Sequence, residues 1–171
     1  MHSVSLGTVA VTGVPKPQVD HATRMIKFAS ECKAKMNAMT AELALSLGPD
    51  TSDLALRIGL HSGSVTGGVL RGDKSRFQLF GDTMNTASRM ESNGTPGRIH
   101  VSQAVADELI IMNKKTWLLP REDLIEAKGK GTMQTYYVEV PVSQQSSLDD
   151  ESAVPSNSSV GSMGVSDIID A

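Results

Sequence analysis

The chemistry of this sequence centres on three polar side chains, Asp82, Asn85 and Arg89, which follow a strand-like run over 76–80 and the breaker Gly81. Their spacing of three and four residues places them on one face of a predicted helix, and Asp82 stands at the position of its N-cap. One face of such a helix can pack while the other meets a ligand. A strand, a glycine turn and a polar helix face therefore predict a nucleotide site.

The elements around this segment predict an α+β fold, an antiparallel sheet covered by helices. A long amphipathic helix is expected from Val19 to Leu47, ending at Gly48, with its methionines in the core. The helix that begins at Asp82 is expected to pack the face that carries Met90. The other predicted elements are strands over 8–12, 54–62, 64–70, 76–80 and 99–101, a helix over 103–112, and strands over 117–125 and 135–140 that pair across the turn 128–131.

Composition favours one globular domain over 1–142 and a disordered, acidic, Ser-rich tail over 143–171. The tail holds five of the 19 acidic side chains and neither Lys nor Arg, so the remainder is nearly neutral and is not expected to bind duplex nucleic acid. With neither a long apolar run nor a signal-peptide pattern, the chain is expected to be soluble and intracellular. The single cysteine, Cys32, excludes an intrachain disulfide and is interpreted as a packing residue.

Four ordered stretches resemble the catalytic domain of class III nucleotidyl cyclases, most closely the guanylate cyclase branch. They read RIGLHSG over 57–63, LFGDTMNTASRMES over 79–92, PGRIHVS over 96–102 and KGKGTMQTY over 128–136. A weaker match, VAVTGVP over 9–15, extends the resemblance almost to the start. The resemblance implies a ferredoxin-like antiparallel sheet covered by helices, here without the family's first strand and first helices.

The resemblance also implies a reaction in which a ribose 3′-hydroxyl attacks the α-phosphate of the same nucleoside triphosphate and expels pyrophosphate. Arg89 matches the family's arginine that stabilises charge on the phosphate, and Asn85 matches the asparagine that orients the ribose. Lys128 matches the lysine that neutralises the triphosphate. Each has a structural alternative: Asn85 as a backbone partner, Arg89 as a surface ion pair, and Lys128 as part of a solvated hairpin tip.

Substrate contacts are also predicted for Gln78, Phe80 and Asp82. Gln78 occupies the family's purine-reading position, and its amide can donate and accept, so either GTP or ATP is allowed, with GTP favoured by the surrounding motif. Asp82 is interpreted as an anchor of the turn rather than a catalytic group. The histidines His21, His61 and His100 are interpreted as structural.

The resemblance implies two metal ions, Mg²⁺ or Mn²⁺, held by two aspartates in an F-x-D-I-x-G-F motif and a T-I-G-D turn. Residues 1–19 contain neither Asp nor Glu, so these ligands are expected to be absent and the chain alone to have very low cyclase activity. We consider three hypotheses. The chain is a portion of a cyclase, a half-site subunit that dimerises with an aspartate-bearing cyclase partner, or a non-enzymatic binding or regulatory module. By the resemblance, the expected assembly is a homodimer or a heterodimer with another cyclase domain. The domain is expected to be cytoplasmic. Many relatives in the family are tethered to a membrane, so the resemblance allows a membrane-tethered full-length parent.

Overall fold

The computed structural model describes residues 7–71, 75–127 and 131–141. The predicted tail and Lys128 lie outside these residues. The helices and strands are α1 His21–Leu47, β1 Ile58–Leu60, β2 Thr66–Leu70, β3 Arg76–Phe80, α2 Asp82–Ser92, β4 Ile99–Ser102, α3 Gln103–Ile111, β5 Leu118–Pro120, β6 Ile125–Ala127, β7 Gly131–Met133 and β8 Thr135–Val138. Two short 3₁₀ helices, Pro49–Asp53 and Lys115–Trp117, complete the order. The predicted α+β class is confirmed.

A four-stranded sheet in the order β1-β4-β8-β5 forms the centre of the fold. β4 and β5 each pair antiparallel with β8, whereas β1 pairs parallel with β4. The sheet therefore has two antiparallel strand pairs and one parallel pair. The chain between β1 and β4 contains the β2–β3 hairpin and α2, and such a crossover is what a parallel pair requires.

The hydrophobic core lies between this sheet and the helices α1 and α3. Ile26 of α1 and Leu109 of α3 are fully buried, as is Val101 of β4, with Trp117 and Val138 beside them. Burial of such side chains stabilises the fold by roughly 1.5–3 kcal/mol each. The core therefore fixes both helices on one sheet.

The predicted long helix forms as α1, but its apolar pattern is only partly buried. Ala22, Ile26 and Ala29 pack in the core, whereas Leu47 is 73% exposed at the helix end. Met39 is 55% exposed, so the expectation that the methionines pack in the core is wrong for this residue. The buried apolar residues of α1 lie in its N-terminal half, because that half meets the sheet and α3.

Four of the predicted strands are corrected. Residues 8–12 are not a strand, since no backbone ladder is assigned there and the Val9 and Val11 side chains are exposed. The runs 54–62 and 64–70 shorten to β1 and β2, which belong to different sheets because β2 pairs with β3. The run 117–125 divides into β5 and β6, separated by residues 121–124. As a result β5 pairs with β8, and β6 forms a separate hairpin with β7.

Among residues 7–71, 75–127 and 131–141, no helix combines the length and apolarity that crossing a bilayer requires.

Candidate functional site

The β2–β3 hairpin presents two of the predicted substrate contacts. Gln78 of β3 lies opposite Gly68 and Phe80 lies opposite Thr66, so the two side chains share one face of the hairpin. Gln78 is exposed and Phe80 is 42% exposed. A Cβ atom on Gly68 would meet no atom within 4 Å, so the space beside Gln78 is open. This face is therefore accessible to a planar group.

The turn that joins β3 to α2 is built on glycine. Gly81 has φ +137°, a left-handed value that residues with a Cβ rarely adopt, and it occupies the N-cap position. The prediction that Asp82 is the N-cap is wrong, because this backbone conformation places the cap one residue earlier and Asp82 becomes the first helical residue. Its carboxylate still lies in the positive first turn of the helix. Thr83 Oγ1 fixes the turn by donating to Ser64 O at 2.7 Å.

The two predicted faces of α2 are confirmed by burial. Thr86 and Met90 are buried, whereas Asn85 is exposed and Arg89 is half-buried. Asn85 and Arg89 lie one helical turn apart and therefore share a side of α2. The structure thus brings Asp82, Asn85 and Arg89 together on one helix, directly after the strand that carries Gln78 and Phe80. Their catalytic and binding roles remain predictions.

A cavity of about 600 Å³ lies on the other side of α2. It is enclosed by the segment 9–15, by residues 59–65, and by α2, and Leu79 of β3 and Ala87 of α2 both line it. Side chains alternate along a strand, and Asn85 and Arg89 lie roughly 160–200° around the helix from Ala87. Gln78, Asn85 and Arg89 therefore all point away from the cavity.

A polar cluster at the edge of this cavity joins three elements. His21 Nδ1 lies 2.8 Å from Gln18 O, and His21 Nε2 lies 2.9 Å from both Ser62 Oγ and Glu108 Oε2. Ser62 Oγ donates to Glu108 Oε1. Glu108 Oε2 is buried, and it accepts a hydrogen bond from His21 Nε2 only when that nitrogen carries a proton. The cluster connects the start of α1, the end of β1 and α3.

Sequence reasoning gave no indication of this cluster. His21 and Ser62 are 41 residues apart and Ser62 and Glu108 are 46 apart, so no local spacing reveals them. The prediction that the histidines are structural agrees with their contacts. His61 Nδ1 lies 2.7 Å from Ser102 Oγ, and His100 Nδ1 donates to Met90 O at 2.6 Å.

The C-terminal half of α2 is held closely against the sheet. A Cβ on Gly59 of β1 would lie 2.4 Å from the carbonyl carbon of Met90, so the helix backbone rests directly on the strand. His100 of β4 is fully buried and donates to the α2 carbonyl of Met90. Arg57 Nε, just before β1, contacts Glu91 Oε1 at 3.1 Å. The position of α2, the helix that carries Asn85, is therefore fixed by its contacts with the sheet.

Burial lowers the pKa of His100, and the nearby Arg121 guanidinium lowers it further, against the hydrogen bond to Met90 O and the charge of Asp123. The hydrogen bond with Asp123 raises the pKa of Arg121, and the same contact lowers the pKa of Asp123. His100 is therefore neutral at physiological pH, with its proton on Nδ1.

The described residues do not fit a Mg²⁺ or Mn²⁺ centre. Within 7–71, 75–127 and 131–141, no three His, Cys, Asp or Glu side chains converge to hold a metal ion. Such hard cations take six or more oxygen ligands, of which Asp82 offers a single carboxylate on α2.

The fold is that of a nucleotidyl cyclase catalytic domain. A family profile described as "Adenylate and Guanylate cyclase catalytic domain" matches residues 7–140. The chain belongs to this adenylate and guanylate cyclase family.

Two relatives and one solved structure illustrate the similarity. The chain is 40% identical over 130 residues to the Receptor-type guanylate cyclase gcy-28 of Caenorhabditis elegans, and 39% identical over 134 residues to the Guanylate cyclase soluble subunit beta-2 of Rattus norvegicus. Both matches cover 76% of this chain but only 10% and 18% of those proteins. The guanylate cyclase domain of RhGC from Catenaria anguillulae, solved in complex with GTP, aligns with a TM-score of 0.59 and 37% identity, covering 75% of this chain and 64% of that one.

Proposed function

We propose that this chain supplies the ribose- and phosphate-binding half of a guanylate cyclase-like site. In the assembled site, a purine nucleoside triphosphate becomes the 3′,5′-cyclic nucleotide and pyrophosphate. Asn85 orients the ribose, Arg89 and Lys128 stabilise the phosphate charge, and Gln78 contacts the base. Phe80 and Asp82 shape and anchor the turn next to the substrate.

One observation carries this proposal: Leu79, Thr83 and Ala87 of the β3–turn–α2 unit line the cavity, whereas Gln78, Asn85 and Arg89 of the same unit do not. A base contact, a ribose contact and a phosphate contact are thus presented in succession. The β2–β3 hairpin also exposes apolar side chains on both of its faces, including Phe77 at 63% and Leu70 at 50%. An apolar, exposed hairpin next to a polar helix face fits an interface between subunits.

In the proposed reaction, the 3′-oxygen forms a bond to the α-phosphorus while the bond to the bridging oxygen of the β-phosphate breaks. The two electrons of that bond leave with pyrophosphate, and the 3′-hydroxyl proton passes to solvent. Negative charge accumulates on the α-phosphate oxygens, where the fixed planar guanidinium of Arg89 stabilises it. Asn85 holds the ribose so that the 3′-oxygen is in line with the bond that breaks.

Assembly with a partner is proposed because the described residues do not provide the metal-binding carboxylates. We propose a heterodimer in which an aspartate-bearing cyclase subunit contributes the missing carboxylates; a homodimer of this chain would lack them in both subunits. The isolated chain is then expected to produce very little cyclic nucleotide. GTP is proposed over ATP, and adenylate cyclase activity is the second candidate because the Gln78 amide can pair with either purine edge.

Binding of a fluorescent, non-hydrolysable GTP analogue tests the proposal. The chain is mixed with an aspartate-bearing subunit whose own Asn and Arg site residues are replaced, and Arg89→Gln is compared with Ser88→Ala. Ser88 is the exposed neighbour of Arg89 on α2 and serves as the matched control. We expect Arg89→Gln to weaken binding about tenfold or more and Ser88→Ala to leave it unchanged. Equal affinity for both variants would contradict the assigned phosphate contact and favour a non-enzymatic module.

A further inference from the structure

The contacts at the C-terminal end of α2 centre on one arginine, Arg121, that follows β5. The Arg121 side chain is only 13% exposed, and its guanidinium contacts three groups. Nε and Nη2 donate to the two Asp123 oxygens at 2.9 and 2.5 Å. Nη1 donates to Asn93 O at 2.7 Å, at the C-terminal cap of α2.

The same guanidinium faces His100. Arg121 Nη1 lies 3.4 Å from His100 Nε2, the nitrogen without a proton when Nδ1 donates to Met90 O. A cation at this place opposes protonation of the ring and so preserves the acceptor at Nε2. Arg121 therefore acts on α2 twice, directly at Asn93 O and through His100 at Met90 O.

We infer that Arg121 is a positioning residue that fixes the axial placement of α2, and with it the placement of Asn85 and Arg89. Asp123 orients the guanidinium through a two-point contact, which holds Nη1 on the helix end. The carbonyls it engages are Asn93 O directly, four residues after Arg89, and Met90 O through His100, one residue after Arg89. A shift of the helix by a fraction of a turn would move the Arg89 guanidinium away from the phosphate, and misplacement by about 1 Å costs up to about 100-fold in rate.

Lysine cannot replace this arrangement, because one ammonium group cannot span both Asp123 oxygens and Asn93 O in a fixed plane. Arg98 offers a matched control. Its guanidinium lies 3.8 Å from the Tyr137 ring centroid and pairs with Glu139, whereas Arg121 lies 5.2 Å from the same ring. Arg98→Lys therefore removes an arginine from the same aromatic ring without touching the α2 carbonyls that Arg121 engages.

The test compares Arg121→Lys with Arg98→Lys in the full chain, and its kinetic arm depends on the proposed function. Cyclic nucleotide formation is measured with the aspartate-bearing partner, and kcat and KM are separated. We expect Arg121→Lys to lower kcat about tenfold with KM within about twofold, at a thermal midpoint matching that of Arg98→Lys. A purely structural role would lower the thermal midpoint and leave kcat of the folded fraction intact, which would overturn the inference.

Hydrogen exchange of the α2 amides provides a second readout that needs no activity. We expect exchange at 89–93 to increase about tenfold in Arg121→Lys and to stay at the wild-type rate in Arg98→Lys. If the wild-type mixture forms no cyclic nucleotide, the proposed function fails while this readout still decides the positioning role. Equal exchange in the two variants would overturn the inference even if the wild type is active.

Discussion

A Cβ atom on Gly59 of β1 would lie 1.9 Å from the backbone nitrogen of Glu91 in α2. No side chain intervenes between strand and helix at this point, so α2 can rest on the sheet only because residue 59 is glycine. The obstructing atoms belong to the helix backbone and cannot rotate aside. The site helix is thus located by a contact that any substitution at Gly59 disrupts.

Gly59→Ala is expected to destabilise the fold by roughly 3 kcal/mol or more, because α2 must move off β1 or the strand must distort. Gly68→Ala is the matched control, since a Cβ on this glycine of β2 would have open space around it. Its effect is expected to stay below about 1 kcal/mol. Urea unfolding followed by circular dichroism measures both. Similar losses for the two variants would contradict the close approach of α2 to β1.

The depressed pKa of His100 predicts a pH-dependent stability. The unfolded imidazole titrates near 6.5, whereas the folded one, buried beside Arg121, titrates lower. Between these two pKa values the unfolded chain binds more protons than the folded chain, so the free energy of unfolding rises with pH in this range. The stabilisation from neutral His100 is lost as the pH falls below about 6.5.

Urea midpoints measured between about pH 5 and pH 8 test this prediction, with His100→Gln as the comparison. The glutamine amide can still donate to Met90 O but does not titrate. We expect the wild-type midpoint to fall more steeply on acidification than that of the variant. Parallel profiles would mean that His100 does not contribute to the acid sensitivity of the protein.

Much of the fold was predictable because its signals are local. The strand over 76–80, Gly81 and the following helix were read from apolar residues, a breaker and helical spacing, and β3 and α2 form there. The N-cap was placed one residue late, since Asp82 is a strong capping type but the backbone conformation at this turn requires glycine. The strand over 8–12 was wrong because strand formation depends on a partner, which a local pattern does not reveal.

The contacts that support the site were not predictable in the same way. Arg121 reaches Asn93 across 28 residues and His100 across 21, and only the packed sheet brings these groups together. Each residue alone resembles an ordinary surface or core side chain. The candidate site residues were found because Asn85 and Arg89 lie on one helix, whereas their supports lie on separate strands and connecting segments.

Gln78 is expected to control the choice of purine. Guanine offers O6 as an acceptor, adenine offers N6 as a donor, and the amide can meet either. Gln78→Asp removes the donor that O6 requires, so kcat/KM for GTP is expected to fall about tenfold or more relative to ATP. Competition between GTP and ATP, with both cyclic products quantified by mass spectrometry, measures the ratio. An unchanged ratio would place the base away from this face of β3.

The most direct test of the account is cyclic nucleotide formation by complementation. The 171-residue chain is mixed with an aspartate-bearing cyclase subunit in which the equivalents of Asn85 and Arg89 are replaced, so only one composite site is complete. We predict that neither protein alone forms cyclic nucleotide above background, that the mixture does, and that Asn85→Ala or Arg89→Gln lowers kcat by about 100-fold whereas Ser88→Ala does not. A mixture that stays at background, or one whose activity is unaffected by Asn85→Ala and Arg89→Gln, would contradict the claim that this chain supplies the ribose- and phosphate-binding half of the site.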